Sequence, residues 1–191
     1  MNDTGGTRQY RIVAARPRDL PAIGAIELAA ARLLAGYAPD TVLNEMTSEQ
    51  ELRDAQRHGR LWVALAGDIP VGFALVEILE PNAAHLEEID VHPDHGRRGL
   101  GRRLMAEVCS WAVERKCPAL TLTTFRDVPW NMPFYAGLGF EEIPPGALTP
   151  ALRAVLQDEA RRGLDPARRV AMRWCAPVSC VPHVAADSGS V

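Results

Sequence analysis

No apolar run in this sequence approaches the roughly 18 residues needed to cross a bilayer. The opening stretch MNDTGGTRQYR also lacks the hydrophobic centre of a secretory signal. A cytoplasmic protein with no membrane partner is therefore expected. Positive charge is not in surplus either: the net charge is −3, which leaves no electrostatic drive toward nucleic acid. The four cysteines, Cys109, Cys117, Cys175 and Cys180, contain no Cys-x-x-Cys pair and stand at no zinc-ligand spacing from the histidines. In a reducing compartment free thiols and no metal are expected. Internal repeats are absent, and a second domain is not discernible.

What remains is an ordinary soluble composition, 47% hydrophobic and 24% charged over 191 residues, enough for one domain with a sizeable core. The pattern reads as a loose segment over 1–9, a single domain over 10–175 and a disordered tail over 176–191, rich in Pro, Ser, Ala and Gly. Tyr10 to Ala14 alternates as a first strand. Leu20 through Ala35 carries Leu20, Ile23, Ile26, Leu33 and Leu34 at helical spacing, and Thr47 to Glu51 has the form of a capping box opening a second helix that ends near Gly59. Leu61 to Ala66 and Val71 to Leu79 are β-rich runs joined by the turn Gly67-Asp68-Ile69-Pro70. A third run, Leu86 to Val91, completes an antiparallel meander. Beyond it, Leu100, Leu104, Val108 and Trp111 form the apolar stripe of a helix. Ala119 to Thr124 reads as a strand, the segment around Tyr135 as a short helix, Phe140 to Ile143 as a strand, Thr149 to Arg162 as a helix and Arg169 to Trp174 as the last strand.

The stretch HLEEIDVHPDHGRRGLGRR, from His85 to Arg103, is where chemistry concentrates. It runs from a strand through a turn into a glycine- and arginine-rich loop that opens a helix. Amides in the first turn of a helix lack internal acceptors and favour an anion. Gly96, Gly99 and Gly101 let the main chain approach such an anion, and Arg97 and Arg98 add forked charges suited to phosphate oxygens. Competing phosphate motifs fit poorly: Arg102 and Arg103 follow Gly101 where a P-loop needs Lys and Ser or Thr, and Leu104 stands where a dinucleotide fingerprint needs its third glycine.

The order strand, Val-x-Pro, Arg-x-Gly-x-Gly opening a helix, then Asn131 and Tyr135 before Gly139-Phe140, resembles the GCN5-related N-acetyltransferases. In that family the loop matches Q/R-x-x-G-x-G/A; here the glycines are Gly99 and Gly101, while the first position holds Gly96. The resemblance implies an α+β, three-layer fold. Its sheet is mostly antiparallel, of about six to seven strands, with helices on both faces and a splay between the strands ending near Val91 and Thr124. It further implies acetyl-CoA as co-substrate. The loop from Gly96 through Arg97, Arg98, Gly99 and Leu100 to Gly101 would hold the pyrophosphate. The Val91 main chain would pair with pantetheine as an added strand would, and Asn131 would touch the carrier.

An amine of pKa about 10 is almost wholly protonated at pH 7 and must lose a proton before it attacks a thioester. Tyr135, one helical turn after Asn131, is the candidate acid for the leaving thiolate. For the base, Glu87 comes first and His85 second. The segment resembles arylalkylamine acetyltransferases as His-Leu-x-x-Leu/Ile-x-Val, and the proton-handling histidines there align with His85 and Glu87. Simple alternation puts His85, Glu87 and Val91 on one face and Glu88 and Asp90 on the other; a bulge would promote Glu88. The expected activity is direct acetyl transfer to a primary amine of a small molecule or peptide, in a possible homodimer. The acceptor stays open between polyamines, aminoglycosides, lysine side chains and amino acids. The alternative is a non-catalytic acyl-CoA sensor or interaction module.

Overall fold

The structure is a computed structural model that describes residues 9–81 and 83–176. All but the inner ends of the expected loose segments, 1–9 and 176–191, and Cys180 with them, lie outside the described residues. Seven strands form one sheet in the order β1-β2-β3-β4-β5-β7-β6. In chain order the elements are β1 (Tyr10–Ala14), α1 (Ile23–Ala31), α2 (Asp40–Leu43), α3 (Glu49–Arg57), β2 (Leu61–Ala66), β3 (Ile69–Glu80), β4 (Ala83–Val91), α4 (Leu100–Glu114), β5 (Ala119–Phe125), α5 (Asn131–Ala136), β6 (Glu141–Glu142), α6 (Pro150–Arg161) and β7 (Arg169–Cys175). Among the strands of the described residues, only β4 and β5 pair in parallel, as the helix between them allows. The expected α+β, three-layer architecture is what the chain adopts.

The helical stripe of α4 explains one layer. Leu100, Leu104, Met105, Val108 and Ala112 are buried against Ala64, Ala74, Val76, Ala84, Leu86, Leu120 and Leu122 of the sheet. On the opposite face Ile23 and Ile26 of α1 and Leu52 and Ala55 of α3 cover Val63, Leu65, Phe73 and Leu75. The α3 capping box forms as its sequence requires: the Ser48 hydroxyl accepts from the Glu51 amide, and the Glu51 carboxylate accepts from the Ser48 amide. Helix α6 lies over the far half of the sheet, with Leu152 packed on Ile143 and Ala171.

Two elements differ from their sequence reading. The expected single helix over Leu20–Ala35 is split into a 3-10 turn (Pro17–Ala22), α1 and a second 3-10 turn (Arg32–Leu34); Pro21 cannot donate within a helix, which keeps the first piece tight. The strand after Phe140 is only two residues long, because Pro144 and Pro145 follow Ile143 and remove the donors a longer ladder would need.

Candidate active site

From the end of β4 the chain enters a 3-10 turn, Pro93–His95, whose Asp94 amide donates to the His92 ring at 3.3 Å. Two residues with left-handed backbone then reverse it, Arg97 at φ 55 and Gly99 at φ 73. Gly99 is the N-cap of α4. As a result the amides of Arg97 to Arg102 have no acceptor among the described residues, and the first turn of a fifteen-residue helix is left open. Val91, Gly96, Arg97, Gly99, Leu100 and Gly101 line one hollow there, closed on one side by Phe134. Gly101 is small for a reason the sequence hid: a Cβ would come to 3.3 Å from the Phe134 ring. Arg98 is not among the lining residues; its guanidinium lies over the Tyr10 ring, 5.9 Å from the centroid. Asn131 is also outside that hollow and begins α5, its amide bonded to Val128 O.

Beside this loop the sheet opens. Strands β4 and β5 pair at Ala84–Leu120, His85–Thr121 and Leu86–Leu122, and no further. β4 nevertheless runs on to Val91 and β5 to Phe125, so the main chain of Glu87–Val91 has no strand on its β5 side. This is the expected splay, an edge in the middle of a sheet that an extended ligand can pair with.

Simple alternation along β4 fails at Glu87. Leu86 pairs with Val76 and Glu88 with Leu75, which leaves Glu87 without a partner across the ladder. This bulge turns the remaining residues by one position. Ile89 and Val91 join Ala84 and Leu86 on the α4 side, whereas Glu88 and Asp90 pair with Leu75 and Phe73 on the side of α1 and α3. His85 thus shares its face with Glu88 and Asp90, not with Val91, and the expected grouping of His85, Glu87 and Val91 is corrected.

The carboxyls of this face are crowded. Burial, and then the charges of Glu27 and Glu87, push the Glu88 carboxyl up to about 7. Burial followed by Glu77 raises Glu87 to about 7 as well; its side chain remains exposed, and water screens it, so Glu88 is the more firmly perturbed of the two. Asp90 is held well above the usual carboxylate range by burial, Glu88 and Glu27. Tyr135 packs edge-on against Phe134 and Phe140. Its phenol is raised by burial first and then by Glu88 and Asp90, which places it in reach of their field.

His85 is in the interior, 1% exposed. Thr121 Oγ1 donates to Ala84 O at 3.1 Å, so the proton between Thr121 and His85, 3.0 Å apart, belongs to His85 Nδ1. Burial lowers this ring to about 4, and it is neutral near pH 7.

Sequence reasoning missed Glu27. It is buried on α1, which packs on β4, and both carboxylate oxygens accept from the Thr47 amide at 3.0 Å, with a third bond from Thr47 Oγ1 at 3.1 Å. The signal was present: it is the only charge between Asp19 and Arg32 in an otherwise apolar helix, and a lone carboxylate there needs a partner. The segment carrying Thr47 is also held by Glu45 against Arg162 and by Tyr37, whose carbonyl accepts from Arg168 at 2.9 Å.

A model of the acetyltransferase (GNAT) family matches residues 29–140. The chain belongs to that family. Among solved structures, the GNAT domain is similar to PaiA N-acetyltransferase from Thermoplasma acidophilum in complex with coenzyme A. That match has a TM-score of 0.68 and 16% identity, and covers 87% of this chain and 99% of that one. The ribosomal-protein-S18-alanine N-acetyltransferase from Escherichia coli matches with a TM-score of 0.63 and 19% identity, over 91% and 98% of the two chains. N-acetylglutamate synthase from Neisseria gonorrhoeae, complexed with coenzyme A and N-acetyl-glutamate, matches with a TM-score of 0.66 and 18% identity, over 88% of this chain and 35% of its own. At such identities the likeness speaks for the fold alone.

Proposed function

We propose that this GNAT protein is an acetyl-CoA-dependent N-acetyltransferase that moves the acetyl group directly to a primary amine. The observation that carries the reading is the parting of β4 and β5 beyond Leu86 and Leu122, beside an amide-rich helix start. The residues fit the co-substrate. Open amides from Arg97 to Arg102 suit a pyrophosphate, Arg97 adds charge at the hollow, and the bare β4 main chain near Val91 suits the amides of a pantetheine arm.

Each remaining role falls to a group already placed. With its carboxyl near 7, Glu88 is partly ionised at neutral pH and takes the proton of the acceptor ammonium, directly or through one water. Glu87, raised in the same direction but with better access to solvent, passes that proton outward. Tyr135 stays neutral throughout the working range because its phenol is raised. It is therefore a standing donor to the leaving sulfur, which is itself more basic in a site of low polarity than the reference thiol of pKa about 8.5. His85 is given no proton to move, since its Nδ1 proton is engaged by Thr121 and the ring is enclosed.

An amine panel assayed by release of CoA thiol, run beside thermal stabilisation by CoA, tests the reading. Turnover of at least one amine with stabilisation by CoA is expected. Absence of both overturns it; stabilisation without turnover overturns the catalytic part.

A further inference from the structure

Two observations converge on Glu27. Its carboxylate accepts three bonds from one residue, Thr47, at the end of the segment that joins α1 to α3. It also lies across from β4, where Glu88 and Asp90 face it from the corrected side of the bulge. Every donor to Glu27 is uncharged. Several of the other ionic groups around this cleft are matched. Glu159 of α6 is bonded to Arg169 of β7, Arg162 is bonded to Glu45, and Glu51 of α3 is bonded to the amide and hydroxyl of Ser48. Glu77 on β3 and Glu87 at the bulge complete the set, with the neutral Tyr135 on α5. Three hydrogen bonds favour the ionised form of Glu27. Burial is the larger effect and raises its carboxyl, so Glu27, Glu88 and Asp90 titrate against one another.

We infer that Glu27 is a positioning residue of the acceptor site: it ties the segment before α3 to the sheet and sets a carboxylate against Glu88 from the α1 side. The inference rests on the proposed amine transfer for its purpose, and its two structural claims can be read without any turnover. One group therefore does two things. Its hydrogen bonds set where the acceptor-side segment sits, and its charge sets when Glu88 lets go of a proton.

Glu27→Gln separates them, because an amide oxygen still accepts from Thr47 while the charge is gone. Carboxyl 13C resonances of glutamate-labelled protein, with Glu88 assigned by its disappearance in Glu88→Gln, report the titration directly. In Glu27→Gln the Glu88 midpoint is expected to fall by about one pH unit, a tenfold change in proton affinity. Hydrogen exchange at the Thr47 amide is expected to stay within about threefold of the parent protein. Where an accepted amine has been found, the acid limb of kcat/KM moves down with the NMR midpoint and KM for acetyl-CoA does not change. An unmoved Glu88 midpoint in folded Glu27→Gln protein overturns the electrostatic claim. Thr47→Val, which deletes the hydroxyl donor and leaves the Glu27 charge, is expected to speed exchange at position 47 about tenfold without lowering the Glu88 midpoint. Unchanged exchange overturns the tethering claim. A panel with no acetylated amine would sink the proposed transfer, while both readouts would still decide the role of Glu27.

Discussion

Leu86 and Leu122 form the last rung between β4 and β5, and everything placed in the candidate site follows from where that rung falls. One residue later β4 bulges at Glu87, so the strand loses its β5 neighbour and changes its facing within the same turn of chain. The unpaired main chain, the carboxyls turned toward α1 and the helix start after Val91 are consequences of two ladder irregularities rather than of any one motif.

Tyr135→Phe keeps the ring contacts with Phe134 and Phe140 and removes only the hydroxyl. A fall in kcat of about 10²-fold is expected, with the affinity for acetyl-CoA changed less than about twofold. Steady-state kinetics beside calorimetric titration with CoA checks this, and a kcat within threefold of the parent would remove the phenol from the reaction.

Gly99→Val forces a β-branched residue into a backbone at φ 73, at a cost of about 1 to 2 kcal/mol. The space around the Cβ is open, so the cost falls on the loop geometry and not on the core. Binding of CoA is expected to weaken about tenfold or more, with a thermal midpoint only a few degrees lower. Wild-type affinity in this variant would show that the left-handed turn is not what presents the amides.

The β4 carboxyls give the fold an unusual pH dependence. Glu88, at about 7 in the folded protein against an ordinary glutamate near 4.3, binds its proton more tightly folded than unfolded. Its contribution is complete below about pH 4 and is lost as pH rises toward 7. Glu87 and Asp90 act in the same direction. Glu88→Gln removes the liability, so at pH 8 the variant should be more stable than the parent by roughly 1 to 3 kcal/mol and at pH 4 nearly equal to it. Urea unfolding at both pH values checks the sign; a gain at pH 4 instead would mean that Glu88 is not held protonated.

Local chemistry was legible in the sequence, and cross-strand chemistry was not. Ser48 and Glu51 lie three residues apart, so their box needs no tertiary information; the stripe of α4 and the turn at Gly67 are local in the same sense. The glycine and arginine content of residues 96–103 pointed to the open helix start correctly, yet Arg98 stacks on Tyr10, and Gly101 is small because of Phe134, contacts made across long stretches of chain. The bulge at Glu87 depends on how β3 pairs with β4, which no alternation along β4 alone contains, and it is why Glu88 and Asp90 share the side of His85. Glu27 was passed over because its partner Thr47 is twenty residues away, beyond any spacing that a helical period would bring together.

The pair Glu159–Arg169 is the most enclosed ion pair among the described residues, with side chains 9% and 10% exposed. Arg169 donates to both carboxylate oxygens, at 2.9 and 2.7 Å, and also reaches Thr123 Oγ1 at 3.2 Å. Its guanidinium sits 4.5 Å from the Phe125 ring centroid, a position in which water cannot replace a lost partner. Glu159→Ala strands that charge, and about 3 to 5 kcal/mol of stability should disappear. The double replacement Glu159→Leu with Arg169→Met removes both charges and fills the space, and it should recover most of that loss, because the intact pair repays little beyond its own desolvation. Denaturant unfolding of the three proteins checks the order. If the double variant were no more stable than Glu159→Ala, the pair would be contributing specific geometry to β5 and β7 that apolar packing cannot supply.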